Sequence, residues 1–223
     1  MGVPLIASRP TLPEGLFPDG VSCIISDACP SDFSLLEAEE AATGAMVDRR
    51  RREFTHGRCC ARLALANLGF NDCPVPVGDD RAPLWPDRVV GSISHCGDTA
   101  AAAAAHIEDV IGLGIDLERN EELDAALMPM ICRSEELARM NGDRLGRLLG
   151  TLIFSAKESL FKCIWPEVRR FVDFQEVEIR LNMDDNTYTA RPHAEDLPAG
   201  LFGQVQGKIG RTGGLWVTAA FRC

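Results

Sequence analysis

The sequence predicts an α+β fold, because helical and strand-like patterns occupy separate stretches of the 223-residue chain. Hydrophobic residues recur every three or four positions in RREFTHGRCCARLALANLG, which ends at Gly69, and again from residue 150 to 165. Strict alternation appears in IGLGIDLE, residues 111 to 118, and in several runs after residue 173. The first pattern favours helices and the second favours half-buried strands.

The first hundred residues contain two expected helices and several extended segments. Residues 1 to 31 are rich in proline and glycine, which predicts extended or strand-like structure. A helix is expected from 34 to 48 with Ser34 as its N-cap, and a stronger one ends with Gly69 as its C-cap. The segment CPVPVGDDRAPLWPD is expected to be a loop. The alanine run from 100 to 105 favours a helix by propensity, but its place between two strand-like runs fits a strand equally well.

The remaining chain is expected to continue with helices and to finish in strands. Residues 119 to 150 are expected to be helical, with a helix start at SEEL, residues 134 to 137. The helix from Gly150 to Trp165 is expected to stop at Pro166, because proline cannot continue an α-helix. Four later runs alternate as strands do: FQEVEIRL, TYTARP, LFGQVQGKI and LWVTAAF.

Composition predicts a cytoplasmic protein that binds neither membranes nor nucleic acid. No apolar run approaches the roughly 20 residues that span a bilayer, and the N-terminus lacks the pattern of a signal peptide. Nine cysteines without a CxxC pair indicate a reducing compartment. A net charge of −10 disfavours general phosphate neutralisation. One local basic patch stands out, DRRRRE at residues 48 to 53.

The strand IGLGIDLE separates apolar residues from small and acidic ones. Its apolar face consists of Ile111, Leu113, Ile115 and Leu117. Its second face consists of Gly112, Gly114, Asp116 and Glu118. Glycines allow a close approach, and two carboxylates about 6.6 Å apart along a strand suit Mg²⁺ together with phosphate and water. The alternative is a solvated strand face beside a turn.

The helix that contains FSAKESLFK, residues 154 to 162, has charged side chains among aromatic ones. On a helical wheel Glu158 and Lys157 share the arc of Phe154, Phe161, Ile164 and Trp165, whereas small residues occupy the opposite arc. If the aromatic arc faces the core, the charges need a partner. A Glu158–Lys162 pair four residues apart contributes only about 0.2–0.5 kcal/mol, so a metal ion or a phosphate is the better explanation.

Several basic residues have two interpretations each. Arg50, Phe54 and Arg58 share one helix face that could meet phosphates, or that face could simply be solvated. His95 ends the run GSISH and is either a phosphate-binding or acid–base histidine or a hydrogen-bonded structural one. The loop residue Arg81 is ambiguous by itself.

Four blocks in this order, RREFTHGRCCARLAL, GSISH, GIDLE and FSAKESLFK, resemble the 4′-phosphopantetheinyl transferases of the enterobactin-synthase and surfactin type. The resemblance extends from about Arg50 to Phe174. It implies two similar α+β halves, 1–115 and 116–223, with coenzyme A in the cleft between them. It also implies that the alanine run is a strand beside GIDLE.

The resemblance implies a role for each candidate site residue. Mg²⁺ would be held by Asp116, Glu118 and Glu158. The phosphates of coenzyme A would be contacted by Arg50, Arg58, Ser94, His95, Lys157 and Lys162. Arg81 would replace the basic residue that relatives often carry in the loop before WP. The catalytic group would consist of Glu158 as the base, Lys162 as the charge-stabilising cation, and Asp116.

The implied reaction moves the phosphopantetheine arm of coenzyme A to a serine of an apo acyl or peptidyl carrier protein and releases adenosine 3′,5′-bisphosphate. Fatty-acid, polyketide and nonribosomal-peptide carriers all fit, and the two-half type tends toward secondary metabolism. The carrier would dock on Arg49 to Arg52 or on Arg169 and Arg170. A monomer is expected because one chain forms the whole cleft. The rival functions are a non-catalytic coenzyme A or nucleotide-binding module and a metal-dependent phosphohydrolase.

Overall fold

The computed structural model describes residues 10 to 223 as four layers, in which two antiparallel sheets pack face to face and a long helix covers the outer side of each. The first sheet has the order β1-β3-β2 and the second β4-β8-β7-β6-β5. This arrangement confirms the α+β fold with two halves. No helix among the described residues is long and apolar enough to cross a membrane.

The first half consists of three strands and two helices. Its strands are β1 (Ser22–Ser26), β2 (Val89–Cys96) and β3 (Thr99–His106), and its helices are α1 (Glu37–Glu40) and α2 (Asp48–Asn67). The second half consists of β4 (Gly112–Arg119), α3 (Met128–Ile131), α4 (Ser134–Leu137), α5 (Arg144–Val168), β5 (Val177–Asn182), β6 (Thr187–Pro192), α6 (Ala199–Gly203), β7 (Gln206–Thr212) and β8 (Leu215–Arg222). A single 3₁₀ turn, Phe174–Glu176, precedes β5.

The alanine run forms the middle of β3, a strand as the resemblance implied and against its helical propensity. Its neighbours in the sheet are β1 and β2, however, whereas the strand with GIDLE belongs to the second sheet. Alternate alanines face opposite layers: Ala100, Ala102 and Ala104 pack against α2, whereas Ala101, Ala103 and Ala105 face the second sheet. All six side chains are buried. A strand with both faces buried has no room for large side chains when its neighbours lie close, and this tertiary constraint outweighs propensity.

The boundary between the halves differs from the expected one. The division at 115/116 falls inside β4, whose whole length pairs with β8. The two sheets separate instead in the turn between His106 and Gly112. Residues 1 to 9 lie outside the described part of the chain, so the expectation for residues 1 to 31 is tested only from residue 10, where β1 is the single strand.

Several helix boundaries also differ from expectation. The helix expected at 34–48 is reduced to the single turn α1, in which the buried Glu39 accepts hydrogen bonds from the N–H groups of Leu36 and Val75. Between 119 and 143 only α3 and α4 form, each four residues long. Helix α5 begins earlier than expected, because Asp143 caps it by accepting from the Gly146 N–H at 2.9 Å.

The ends of α2 and α5 and the start of β7 agree only in part with the expectations from the sequence. Gly69 follows α2 in the left-handed region at φ +92°, which agrees with its predicted capping role. Pro166 does not stop α5, which continues to Val168 because the proline removes only one hydrogen bond near the helix end. The expected strand LFGQVQGKI starts as α6, and only its second part belongs to β7.

The glycines of β4 allow α5 to pack directly on the strand. A Cβ atom added to Gly114 would lie 1.8 Å from the backbone oxygen of Ser159, and one added to Gly112 would lie 2.8 Å from that of Cys163. The close approach that the sequence predicted at these glycines is therefore that of a helix. The apolar face of β4 is buried as expected, except that Ile111 precedes the strand and is 39% exposed.

The small arc of α5 is fully buried against the sheet. The aromatic arc faces the core only in part, because Lys157 and Ile164 are buried whereas its aromatic side chains are not. Four side chains are fully buried against the sheet: Ser155, Ala156, Ser159 and Cys163. Phe154, Phe161 and Trp165 are only partly buried. Small residues on α5 and glycines on β4 together shorten the distance between helix and sheet. Glu158 is accordingly half-buried and does not enter the core.

Lys157 is the charged residue that does enter the core. Its Nζ donates to three acceptors at 2.8 Å each: the carboxylate of Glu136 and the backbone oxygens of Ile131 and Phe174. Neither Lys157 nor Glu136 exposes its side chain. The three bonds use all the donors of an ammonium group and fasten α4 and the 3₁₀ turn to α5.

We expect Gly114→Ala to lower the free energy of unfolding by about 3 kcal/mol or more, because overpacking against a backbone atom cannot be relieved by a side-chain rotation. Urea denaturation measures this change. Gly200→Ala is the matched control, since a Cβ atom there meets nothing within 4 Å. Equal stability of the two variants would contradict the close contact between α5 and β4.

We expect Lys157→Met to cost about 3–5 kcal/mol of stability, because it leaves the carboxylate of Glu136 buried without its cation. The double variant Lys157→Met/Glu136→Gln should recover part of the loss in the same denaturation experiment. Full stability of Lys157→Met would contradict the anchoring role of this buried pair.

Candidate functional site

A cleft of about 1250 Å³ lies between the two halves. It is bounded by α2, by β2, by the loop from 77 to 83 and by the C-terminal part of α5. Its cationic lining residues come from all of these elements except β2: Arg50, Arg58, Arg81 and Lys162. His95 and Asp116 also line the cleft, which therefore brings together residues from all four sequence blocks.

Asp116 connects the two halves at the base of this cleft. Its Oδ1 accepts from Lys162 Nζ at 2.8 Å and from Ser94 Oγ at 2.9 Å, and its Oδ2 accepts from Ser155 Oγ at 2.9 Å. The side chain is buried, with a relative exposure of 5%. A buried carboxylate is tolerated when its oxygens are hydrogen-bonded and a cation lies beside it.

The serines of GSISH explain why β2 and β4 lie so close together along their length. Both strands are sheet edges. Ser92 Oγ accepts from the Ile115 N–H at 3.0 Å, and Ser94 Oγ accepts from the Leu117 N–H at 3.2 Å. The hydroxyl groups thus satisfy donors that an edge strand would otherwise leave unpaired.

The carboxylates of Glu118 and Glu158 lie close enough to Asp116 to feel its charge. Burial raises the pKa of Glu118 to about 7, and the negative charges of Asp116 and Glu158 add to the rise against the opposing effect of Lys162. Burial also raises the pKa of Glu158; Lys162 opposes this rise and Asp116 adds to it. The charges of the three carboxylates thus influence one another, and their expected convergence on one metal ion stays a prediction.

This set of donors fits Mg²⁺, because carboxylate oxygens that repel each other favour a divalent cation between them. Among residues 10 to 223, no group of three or more His, Cys, Asp or Glu side chains is arranged so that it could hold a metal ion by itself. Mg²⁺ commonly takes one or two protein carboxylates and completes its six ligands with water and substrate phosphate.

Arg50 and His95 form a pair on the opposite wall of the cleft. Arg50 Nη1 donates to His95 Nε2 at 2.6 Å, and Glu53 lies 3.5 Å from the arginine and 3.8 Å from the histidine. Burial lowers the pKa of His95; Glu53 opposes the shift, while Arg50 and Lys162 add to it. A neutral imidazole that accepts at Nε2 carries its proton on Nδ1. The guanidinium of Arg50 remains half exposed to the cleft.

Arg58 and Arg81 line the same cleft, but Arg58 is buried and held by contacts whereas Arg81 is exposed. Arg58 is 6% exposed, donates from Nε to the Val75 oxygen at 2.6 Å and stacks on Phe54 at 4.2 Å from the ring centre. Burial lowers its pKa to about 10. Arg81 is exposed on the loop and adopts φ +66°. It lines the cleft, and the role that the resemblance implied for it stays a prediction.

Two of the expected phosphate ligands have other contacts. Ser94 lines the cleft, but its hydroxyl is engaged with Asp116 and the Leu117 N–H. Lys157 is buried behind α5 with three protein acceptors, as described above. The structure corrects the expectation for Lys157, whose role is to anchor the helix.

Sequence reasoning missed two sets of residues: those that contact Asp116 from the side away from the cleft, and those that join the loop of the first half to the end of α5. Ser155 and Thr218 lie behind Asp116, and their hydroxyl oxygens are 2.8 Å apart. Asp80 accepts from Trp165 Nε1 at 3.1 Å and lies 3.6 Å from Arg169, so the loop of the first half contacts the end of α5. The small arc of α5 was the signal that could have revealed Ser155.

The two basic segments proposed for docking differ in how their arginine side chains are paired with carboxylates. Arg170 is engaged by Glu176 at 2.8 and 3.1 Å and by Asp196 at 2.7 Å. Arg52, at the start of α2, is exposed. Within the segment from 49 to 52, Arg49 pairs with Glu53 and Arg51 with Glu40. Arg52 is therefore the candidate there for attracting an acidic partner.

Comparison with known proteins agrees with this geometry. Residues 38–105 match the 4′-phosphopantetheinyl transferase N-terminal domain and residues 112–219 match the 4′-phosphopantetheinyl transferase superfamily. The two matched segments meet at the turn that separates the two sheets.

Three relatives extend the match to most of the chain. The 4′-phosphopantetheinyl transferase Svp of Streptomyces mobaraensis is 41% identical over 170 residues, which cover 74% of this chain and 69% of the relative. The transferase Npt of Nocardia iowensis is 34% identical, covering 78% of both chains. The transferase PptT of Mycobacterium tuberculosis is 32% identical, covering 84% of this chain and 82% of the relative. The family matches and these three relatives show that the chain is an enzyme that belongs to the 4′-phosphopantetheinyl transferase family.

Proposed function

We propose that this enzyme transfers the 4′-phosphopantetheine arm of coenzyme A to a serine hydroxyl of an acyl or peptidyl carrier protein and releases adenosine 3′,5′-bisphosphate. The observation that carries the proposal is that two sets of charged residues face each other across one cleft. Arg50, Arg58 and His95 lie on one wall, and Lys162 lies beside Asp116 at the base. The first group suits a polyphosphate substrate and the second suits phosphoryl transfer.

Binding of coenzyme A would use the cations of both halves. The half-exposed guanidinium of Arg50 can donate to phosphate oxygens while His95 orients it through the 2.6 Å contact. Arg58 is fixed by Val75 and Phe54, so binding requires little further ordering of its side chain. Arg81 adds a further guanidinium group from the loop on the other side of the cleft.

Glu158 is the proposed general base. A serine hydroxyl needs a base within hydrogen-bond reach at neutral pH. The net rise in the pKa of Glu158 makes its carboxylate a stronger proton acceptor than an exposed glutamate. The serine oxygen forms a bond to phosphorus, the bond from phosphorus to the departing pyrophosphate oxygen breaks, and the serine proton moves to Glu158.

Lys162 and Asp116 would act on the charge that develops during this step. Lys162 is 29% exposed and is held by Asp116 and by the Ile115 oxygen at 3.1 Å, which leaves one of its three protons for a phosphate oxygen. Asp116, Glu118 and Glu158 would hold Mg²⁺, which when bound neutralises the pyrophosphate and favours departure of the leaving group.

The proposal extends to partners, state and location. All elements of the cleft come from one chain, which supports action as a monomer. The cysteine composition supports a cytoplasmic location. We place the carriers in secondary metabolism, and the exposed segment from 49 to 52 is their proposed docking surface.

The function is tested by incubating the protein with coenzyme A, Mg²⁺ and an apo carrier protein and weighing the carrier by mass spectrometry. Transfer adds the phosphopantetheine arm to the carrier. Phosphate release without a modified carrier would instead indicate a phosphohydrolase. Binding of coenzyme A without either product would indicate a non-catalytic module.

We expect Glu158→Gln to lower kcat of this transfer by about 10²–10⁴-fold, the usual contribution of a general base, with a smaller change in KM for coenzyme A. Glu135→Gln is the matched control, because Glu135 is a surface residue that pairs only with neighbours in and next to α4. Full activity of Glu158→Gln in the presence of Mg²⁺ would remove Glu158 from the mechanism.

We expect Arg52→Glu to raise KM for the carrier several-fold and to leave KM for coenzyme A unchanged, because an exposed charge at the rim acts mainly on encounter with a charged partner. Arg144→Glu provides the control, since Arg144 is likewise an exposed arginine in the first turn of a long helix. The effect of Arg52→Glu should shrink as salt increases. An unchanged carrier KM would refute docking at this segment.

A further inference from the structure

The carboxylate of Asp116 is restrained from two directions, and one of the restraints comes from outside the cleft. Lys162 and Ser94 hold Oδ1, whereas Oδ2 accepts from Ser155 Oγ at 2.9 Å. Ser155 has a relative exposure of 0%, so it cannot contact a substrate. It lies two turns before Lys162 on the same side of α5, which explains how both reach one carboxylate.

The Asp116 carboxylate fixes the direction of this hydrogen bond, and Thr218 holds Ser155 from the other side. Thr218 Oγ1 lies 2.8 Å from Ser155 Oγ and also 2.8 Å from the Ser155 backbone oxygen, and its side chain is fully buried on β8. An ionised carboxylate can only accept, and the backbone oxygen can only accept. The proton of Ser155 therefore goes to Asp116. The single proton of Thr218 goes to the Ser155 backbone oxygen, which anchors Ser155 to β8.

We propose that Ser155, supported by Thr218, is a positioning residue that sets the orientation of the Asp116 carboxylate for Mg²⁺ binding. This inference rests on the proposed function, in which Asp116 is one of the metal ligands. Neither serine nor threonine takes part in the reaction itself. They act on the metal through Asp116.

The physical reason is that the terminal torsion of an aspartate is soft. Rotation about this bond meets only broad minima, and Lys162 and Ser94 both pull on Oδ1. Without a donor at Oδ2, the carboxylate can turn both oxygens toward Lys162, which competes with a metal for them. A donor on the opposite side balances this attraction. Loss of such an outer partner typically weakens metal binding or activity by about 10–100-fold.

The chain offers a matched pair of substitutions on one helix. Ser155→Ala removes the donor to Asp116. Ser159→Ala, one turn later, removes an equally buried hydroxyl that contacts the Ala156 oxygen at 3.1 Å and Tyr188 Oη at 2.9 Å. A second pair lies on β8, where Thr218→Val removes the hydroxyl at nearly constant shape and Thr218→Ser retains it.

Mg²⁺ binding is measured by calorimetry in the presence of coenzyme A, and the Mg²⁺ concentration for half-maximal transfer is measured in parallel. We expect Ser155→Ala to weaken Mg²⁺ binding about 10-fold and to leave KM for coenzyme A nearly unchanged. Thr218→Val should act in the same direction by a smaller factor. Ser159→Ala and Thr218→Ser should bind Mg²⁺ as the parent protein does, even where their Tm falls.

Several outcomes overturn the inference. Unchanged Mg²⁺ binding by Ser155→Ala, or an equal loss in Ser159→Ala, shows that Ser155 has no specific effect on Asp116. If Ser155→Ala does not fold, the Thr218→Val and Thr218→Ser pair decides, and equal Mg²⁺ binding by the two refutes the proposal. A parent protein that binds no Mg²⁺ overturns the proposed metal site and this inference together. Normal binding by the parent with an unaffected Ser155→Ala overturns this inference alone.

Discussion

The carboxylate of Asp116 accepts hydrogen bonds from Ser94 in the first half and from Ser155 and Lys162 on α5 in the second half. A buried charge that lost these donors would be strongly unfavourable. The network therefore fixes how β2, β4 and α5 lie relative to one another, and the cleft between the halves opens directly above it. Ser94 serves twice, because its oxygen also accepts the Leu117 N–H at the edge of β4.

Close packing makes this network possible. Gly114 allows the backbone of α5 to touch β4, and the small arc of the helix is buried as a result. With that arc turned toward the sheet, the aromatic arc must lie on the side where Phe161 and Trp165 reach the cleft. The buried pair of Lys157 and Glu136 fastens the same helix from its other side. The position of Glu158 and Lys162 thus follows from packing that involves neither of them.

The sequence predicted the parts of the molecule that depend on local pattern or on several blocks occurring together. The long helix α2 and the alternating strand β4 belong to this class. The alanine run required the resemblance, because burial on both faces outweighs propensity. Lys157 was misjudged because a helical wheel shows direction but not which neighbours cover each arc. The same limit concealed Ser155, whose partners come from other strands.

The proposed metal site is tested most directly by a crystal structure with coenzyme A and Mn²⁺ in place of Mg²⁺. Anomalous scattering locates the ion in such a crystal. The account predicts one ion bound by oxygen atoms of Asp116, Glu118 and Glu158 and by a phosphate of coenzyme A, with Ser94 and Ser155 still bonded to Asp116. An ion bound elsewhere, or an Asp116 carboxylate turned away from both serines, would contradict it.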